Sequence, residues 1–304
     1  MTELSVNTIY RYLSFQKRCE LAHANSQFRQ WNDVLPYNLD SFSIIDRSSF
    51  SQIIINEKYS WKIEKHELGS LVHIGTITEN GKHLKIVNLS PSEVLGKITN
   101  FYLNRPGTTI RTLSIVNHPY GLEQCHPLKV GKFVWNLAVN SSRYDYTTWF
   151  NCLRSNPIKC VDILLNGEDN TVLSEPVILS AENLNIKTRV DLPLQAILKF
   201  EASSLTLEQQ LMEEDLRKLC DAWVRDQGSR NRELTVQLHS KSFESIMNIF
   251  KKEFGMEYIG RSNNLMNASS EASETGGNFL LASSNVILKL LESSEGKLVM
   301  QVLR

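Results

Sequence analysis

The sequence has none of the short signatures by which most nucleotide, zinc or serine chemistry is recognised. Neither G-x-G-x-x-G nor G-x-x-x-x-G-K-[ST] occurs, so no glycine loop is spaced to cradle phosphates. H-E-x-x-H and C-x-x-C are both missing, which removes the common zinc spacings, and no serine sits in a G-x-S-x-G elbow. Excess charge of one sign is missing too: 33 Lys and Arg balance 33 Asp and Glu. Zero formal net charge suits neither nucleic acid nor an anionic membrane as the main partner. No apolar run approaches the roughly 18 residues of a membrane-spanning helix. The opening "MTELSVNTIY" lacks the basic start and apolar core of a secretory signal. The 5 cysteines are scattered and odd in number, which fits reduced thiols. An intracellular protein, cytoplasmic or nuclear, with no cofactor and no metal is therefore expected.

The residues that could carry chemistry are few and poorly placed for it. Cys125 and His126 are adjacent in sequence and converge badly on one metal. His66, His73 and His83 fall over strand-like segments and read as solvated or hydrogen-bonded surface histidines. Glu213 and Glu214 read as a solvated helix face. No enzymatic role is expected.

What is present is a change of rhythm. In "TIYRYLSFQKRCELAHANSQFRQWN", residues 8–32, apolar residues recur at gaps of three and four, with a break read at 14–16 and an end near Val34, ahead of Pro36. From Tyr37 the pattern is β: "SFSII", "SQIIIN", "YSWKIEKH", "LVHIGTI" and "HLKIVNL", with Asn80-Gly81 as the strongest hairpin signal. A longer period follows. Leu113, Leu137, Val161 and Leu184 fall 24, 24 and 23 residues apart, each opening an L-x-I/V strand, and Asn117, Asn140 and Asn166 end three of them. That is a leucine-rich-repeat-like signature, in which stacked strands complete one core. It predicts a single curved sheet over 108–240 with those four residues in register. The alternative is a non-repetitive α/β or all-β domain with strands at similar spacing.

Further on, "LTLEQQLMEEDLRKLCDAWVRD" reads as one amphipathic helix, with Thr206 as N-cap and Met212, Leu216, Leu219 and Trp223 on its inner face. "SFESIMNIFKKEFG" is a second helix, "RSNNLMNASSEASETGGN" a mobile loop, and "VILKLLESSEGKLVMQVLR" two strands about a turn. The expected fold class is α/β: a short N-terminal helical segment, an irregular repeat domain and a C-terminal β-hairpin cap. The segments are 1–36 helical, 37–107 strand-rich connection, 108–260 irregular repeat, 261–278 flexible loop and 279–304 hairpin.

The opening stretch resembles the F-box, through Ile9, Tyr12 and Leu13, then Arg18 and Leu21, then Arg29 and Trp31. The likeness is to the divergent F-box proteins of nematodes. "LQAILKFEASSLTLEQQLMEEDLRKLCDAWVRDQGSRNRELTVQL" and the terminal hairpin are similar to the F-box-associated domain of those proteins. "LS" stands where the F-box opens on "LP". The resemblance implies a substrate-recognition adaptor of a cullin–RING (SCF-type) ubiquitin ligase. Ile9, Tyr12, Leu13, Phe15, Leu21, Phe28 and Trp31 would dock on a Skp-type adaptor protein, and the repeat domain would hold an unknown protein substrate. The other reading is a free-standing interaction protein whose helices pack onto its own β-domain.

Overall fold

In a computed structural model, the described residues are 8–10, 12–77, 83–137, 146–153, 158–166, 170–225, 231–238, 243–254, 257–260, 275–280, 287–293 and 297–303. The fold is mixed α/β, mostly sheet with a few helices. The chain forms two compact units, Met1–Asp162 with Glu175–Val177, and Ile163–Ser174 with Ile178–Arg304.

In the first unit, helices α1 (Phe15–Ala24) and α2 (Ser26–Val34) precede the sheet. Strands β1 (Asn38–Asp46), β2 (Ser51–Ile55), β3 (Tyr59–His66), β4 (Gly69–Thr76) and β5 (His83–Val87) form an antiparallel meander. Helix α3 (Pro91–Leu103) follows, then β6 (Thr109–Val116) and β7 (Lys129–Leu137). β6 lies parallel to β1 on one side and to β7 on the other. The start of α3 is set locally: Pro91 opens it, the Ser90 hydroxyl accepts from the Glu93 amide, and the Glu93 carboxylate accepts from the Ser90 amide. Its buried Val94, Leu95 and Leu103 close the core over β2, β3 and β4. The Asn80-Gly81 turn lies outside the described residues, but β4 and β5 pair antiparallel on either side of it.

The parallel strands share a pattern finer than a simple alternation. Buried residues stand at Leu39, Phe42 and Ile44, at Ile110, Leu113 and Ile115, and at Val130, Phe133 and Trp135. Each set follows apolar-x-x-apolar-x-apolar. The pairing puts Phe42 opposite Leu113 opposite Phe133, and Ile44 opposite Ile115 opposite Trp135. The expected stack of Leu113 on Leu137 is thus displaced by four residues. Leu137 is buried, but one residue beyond the Val116–Asn136 pair. "FVWNLAVN" offers two overlapping L-x-V-like frames, and aromatic bulk at Phe133 and Trp135 decides for the earlier one. Trp135, Trp149 and Phe150 then build an aromatic core, with Trp149 stacked on Phe150 at 4.0 Å between ring centres.

Asn117 shows why such strands end in asparagine. It sits in the left-handed region at φ 62, which asparagine tolerates better than most residues. Its amide donates to the Asn136 carbonyl at 2.8 Å, its side chain donates to the Asp46 carbonyl at 2.6 Å, and its own carbonyl accepts from the Trp135 indole at 3.1 Å. One residue thereby ties the ends of β1, β6 and β7. Asn140 lies outside the described residues.

Strand β8 spans Cys160–Leu165. In the second unit, β9 (Asn183–Thr188), β10 (Ser204–Leu211) and β11 (Arg232–Leu238) are parallel, with Leu184 opposite Leu205 opposite Leu234. The same motif recurs at Ala181, Leu184 and Ile186 and at Ala202, Leu205 and Leu207, all buried. The single helix read over 205–226 is therefore corrected: residues 204–211 are strand, and the helix is only Glu213–Arg225. Thr206 caps nothing, and Met212 is exposed while Leu216, Leu219 and Trp223 are buried. Leu205 and Leu207 pair with β9 and β11 on either side, and that pairing takes 204–211 out of the helix. Short helices α4 (Thr147–Phe150), α5 (Pro176–Leu179) and α6 (Leu194–Ile197) lie in connecting segments, α7 (Glu213–Arg225) connects β10 to β11, and α8 (Phe243–Phe254) follows β11. At the end, β12 (Glu257–Gly260), β13 (Thr275–Leu280), β14 (Ile287–Glu292) and β15 (Lys297–Leu303) form an antiparallel run, β15 pairing with β11. The segment read as a flexible loop lies outside the described residues over 261–274, whereas 275–278 belong to β13. The cap thus has more than the two strands expected.

Candidate partner-binding face at the N-terminal helices

Two caps define the helical segment. The Ser14 hydroxyl accepts from the Lys17 amide and starts α1, and the Asn25 side chain accepts from the Gln27 amide at 2.8 Å and starts α2. The break between the two long helices is therefore at Asn25, and Ser14 marks a separate, earlier one.

Three contacts fasten α1 to the sheet of its own unit. Phe15 is buried and meets Tyr37 and Tyr59 edge-on, each at 5.2 Å, and Tyr102 at 5.8 Å. The Gln16 side chain accepts from the Lys58 ammonium at 2.9 Å. Arg18, only 1% exposed, donates to the carbonyls of Leu35 (3.0 Å) and Pro36, and lies over the rings of Tyr37 and Tyr10.

From the turn just past the end of α3, Arg105 reaches the same place. It donates to the carbonyls of Asn32 and Leu35 and, like Arg18, lies over the Tyr37 ring, at 4.4 Å, as well as over Phe101 at 5.0 Å. Two buried guanidiniums thus meet carbonyls at and just beyond the C-terminus of α2, where the helix dipole favours cations. Neither makes an ion pair among the described residues. Burial lowers the Arg18 pKa, and burial raises those of Tyr37, Tyr102 and the Cys19 thiol.

The residues expected to dock a partner separate into three groups. Ile9 and Tyr12 are exposed, Tyr12 by 84%. Leu13, Leu21, Phe28 and Trp31 are half-buried. Phe28 and Trp31 pack on each other at 5.4 Å and on buried Tyr10. Phe15 is the correction: enclosed by three tyrosines, it has no face left for a partner. Sequence reasoning missed Val34, 67% exposed on the last turn of α2, and the pair Arg18 and Arg105. Val34 is visible as an apolar residue next to the helix end. Nothing in the sequence brings Arg105 to Asn32, which is 73 residues away.

Elsewhere in this unit, a groove of about 600 Å³ is lined by Gly96, Phe101, Tyr120, Gly121, Glu93 and Glu123. Its carboxylates already serve local turns, Glu93 on Ser90 and Glu123 on the Gly121 amide. Among the described residues, no group of three His, Cys, Asp or Glu side chains could hold a metal ion, and no helix is long and apolar enough to cross a membrane. Compared with protein-family models, with curated proteins and with solved structures, the chain matches none.

Proposed function

We propose that this chain is a non-enzymatic, intracellular substrate-recognition adaptor of a cullin–RING ubiquitin ligase, with an F-box-like helical segment docking on a Skp-type protein and a leucine-rich-repeat-like domain holding a protein substrate. The observation that carries the docking half is the exposed apolar set Ile9, Tyr12 and Val34 beside half-buried Leu13, Leu21, Phe28 and Trp31. Apolar surface of this kind on a short, anchored helical pair is what a partner's groove covers. The repeat-like half is supported by the recurrent apolar-x-x-apolar-x-apolar strands in parallel ladders.

A second reading is favoured by a specific observation. Phe15, Tyr10 and Arg18 are buried against their own unit, as expected of a free-standing interaction protein whose helices have become part of its core. One experiment separates the two. The purified chain is titrated with purified Skp-type adaptor, alongside Tyr12→Ala and Val34→Ala variants, with melting temperature followed in parallel. The adaptor reading requires binding that both substitutions weaken at unchanged melting temperature. No binding by the wild-type chain leaves the free-standing reading.

A further inference from the structure

The last strand of the meander, β5, pairs with β4 and, among the described residues, with nothing else. An edge strand carries unpaired backbone donors and acceptors along its outer side. Proteins usually blunt such an edge with charge, proline, a bulge or a covering loop. Here four consecutive residues, His83 to Ile86, are exposed, and two of them are apolar: Leu84 by 65% and Ile86 by 52%.

The two faces of this strand differ in chemistry. Leu84 stands opposite His73, and Ile86 opposite Leu71. Beyond them lies a polar column in which Glu64 binds both His73, at 3.1 Å, and Lys62, at 2.6 Å. The acid on that side is therefore satisfied, and Leu84 and Ile86 lack apolar neighbours on the open side. On the other face, Lys85 stands opposite buried Val72, and His83 opposite Ile74. Lys85 forms no ion pair among the described residues.

We propose that the β5 edge is a docking site for an extended segment of a partner protein that adds as a further strand and alternates apolar with acidic residues. The free main chain selects an extended backbone, as in strand addition generally. Leu84 and Ile86 take apolar residues on one face, and Lys85 with His83 take carboxylates on the other. A second copy of the chain is a poorer occupant. Pairing Leu84 with Ile86 of the copy sets Lys85 opposite Lys85, and like charges directly opposite are destabilising. The site is separate from the helical face and does not depend on it.

The test is amide hydrogen exchange on the full chain with a short peptide of alternating valine and glutamate. Exchange across His83–Val87 slows at least about tenfold when the peptide is added, while exchange in β3 is unchanged. A peptide N-methylated at alternate residues loses the effect, and Lys85→Glu shifts preference to the peptide carrying lysine for glutamate. A second variant, Leu84→Ser with Ile86→Ser, weakens binding of both peptides; its exposed positions leave the fold intact. Three results overturn the proposal: no slowing at millimolar peptide, equal slowing by the N-methylated peptide, or slowing that appears without peptide and grows with protein concentration.

Discussion

Phe15→Ala tests whether the helical segment is held by its own unit. The ring is 4% exposed, and three tyrosine rings lie within 5.8 Å of its centre. Truncating a buried phenylalanine to alanine costs about 3–5 kcal/mol, including the cavity left behind. Edge-on contacts with Tyr37 and Tyr59 place this site toward the upper end, since such pairs add to plain burial. For a unit of this size, one kcal/mol moves the melting temperature by about 2–4 °C, so the expected drop is roughly 6–20 °C. Tyr12→Ala is the control. At 84% exposure, its expected effect is within about 0.5 kcal/mol. Melting is followed by circular dichroism, and urea unfolding gives the free energy independently. A Phe15→Ala protein melting within about 2 °C of wild type would refute the reasoning, because the aromatic contacts would then not be what fastens α1.

Gly121→Ala and Gly96→Ala should move stability in opposite directions on urea unfolding. Gly121 has φ +90, and a Cβ there would lie 2.4 Å from the Gly96 carbonyl oxygen, so a loss above about 2 kcal/mol is expected. A Cβ at Gly96 meets its nearest neighbour at 3.6 Å, and alanine inside α3 should gain about 0.5–1 kcal/mol. Burial lowers the His118 pKa below its usual 6.5, with Asp46 opposing. Below that pH the unfolded chain takes up a proton that the folded one resists, so stability falls as pH drops from about 6.5 and levels off below the folded pKa; His118→Asn should remove that slope in pH-dependent melts. Burial pushes the Cys152 and Cys220 thiols up to about 12, so neither should react with a thiol reagent at neutral pH until denaturant unfolds the chain, as mass spectrometry of labelled peptides will show.

The strands were legible because apolar alternation is local. The meander from Asn38 to Val87 and the Ile287–Leu303 pair follow from periods of two. Register was less legible. Around Leu137 the sequence carries two overlapping frames, Phe133-x-Trp135 and Leu137-x-Val139, and it is the bulkier aromatic one that pairs with Leu113 and Ile115. Phe42 and Leu113 are 71 residues apart, and the four-strand excursion between them leaves no sequence trace of their pairing. The same non-locality hid the strand at 204–211. Its right to be a strand comes from Leu184 and Leu234 on either side, neither of which a local window contains.

The helical face was half legible for a related reason. A period of three and four marks apolar residues but does not say which surface covers them. Phe15 and Tyr12 lie on the same opening segment, and both read as apolar anchors. One is enclosed because Tyr37, Tyr59 and Tyr102 come from three later segments of the unit, and the other is left in solvent. Anchoring and display therefore need not compete. A segment too short to bury its own apolar surface uses Phe15 and Arg18 to fix its position, while Ile9, Tyr12 and Val34 stay exposed. Residues already held in place lose little further entropy on binding, so on the adaptor proposal a face held in this way would bind a groove more tightly than the same residues on a loose helix. On the adaptor proposal, the two buried guanidiniums would serve binding without touching a partner. By holding the carbonyls of Asn32, Leu35 and Pro36, Arg18 and Arg105 fix where α2 ends, and with it where Val34 points.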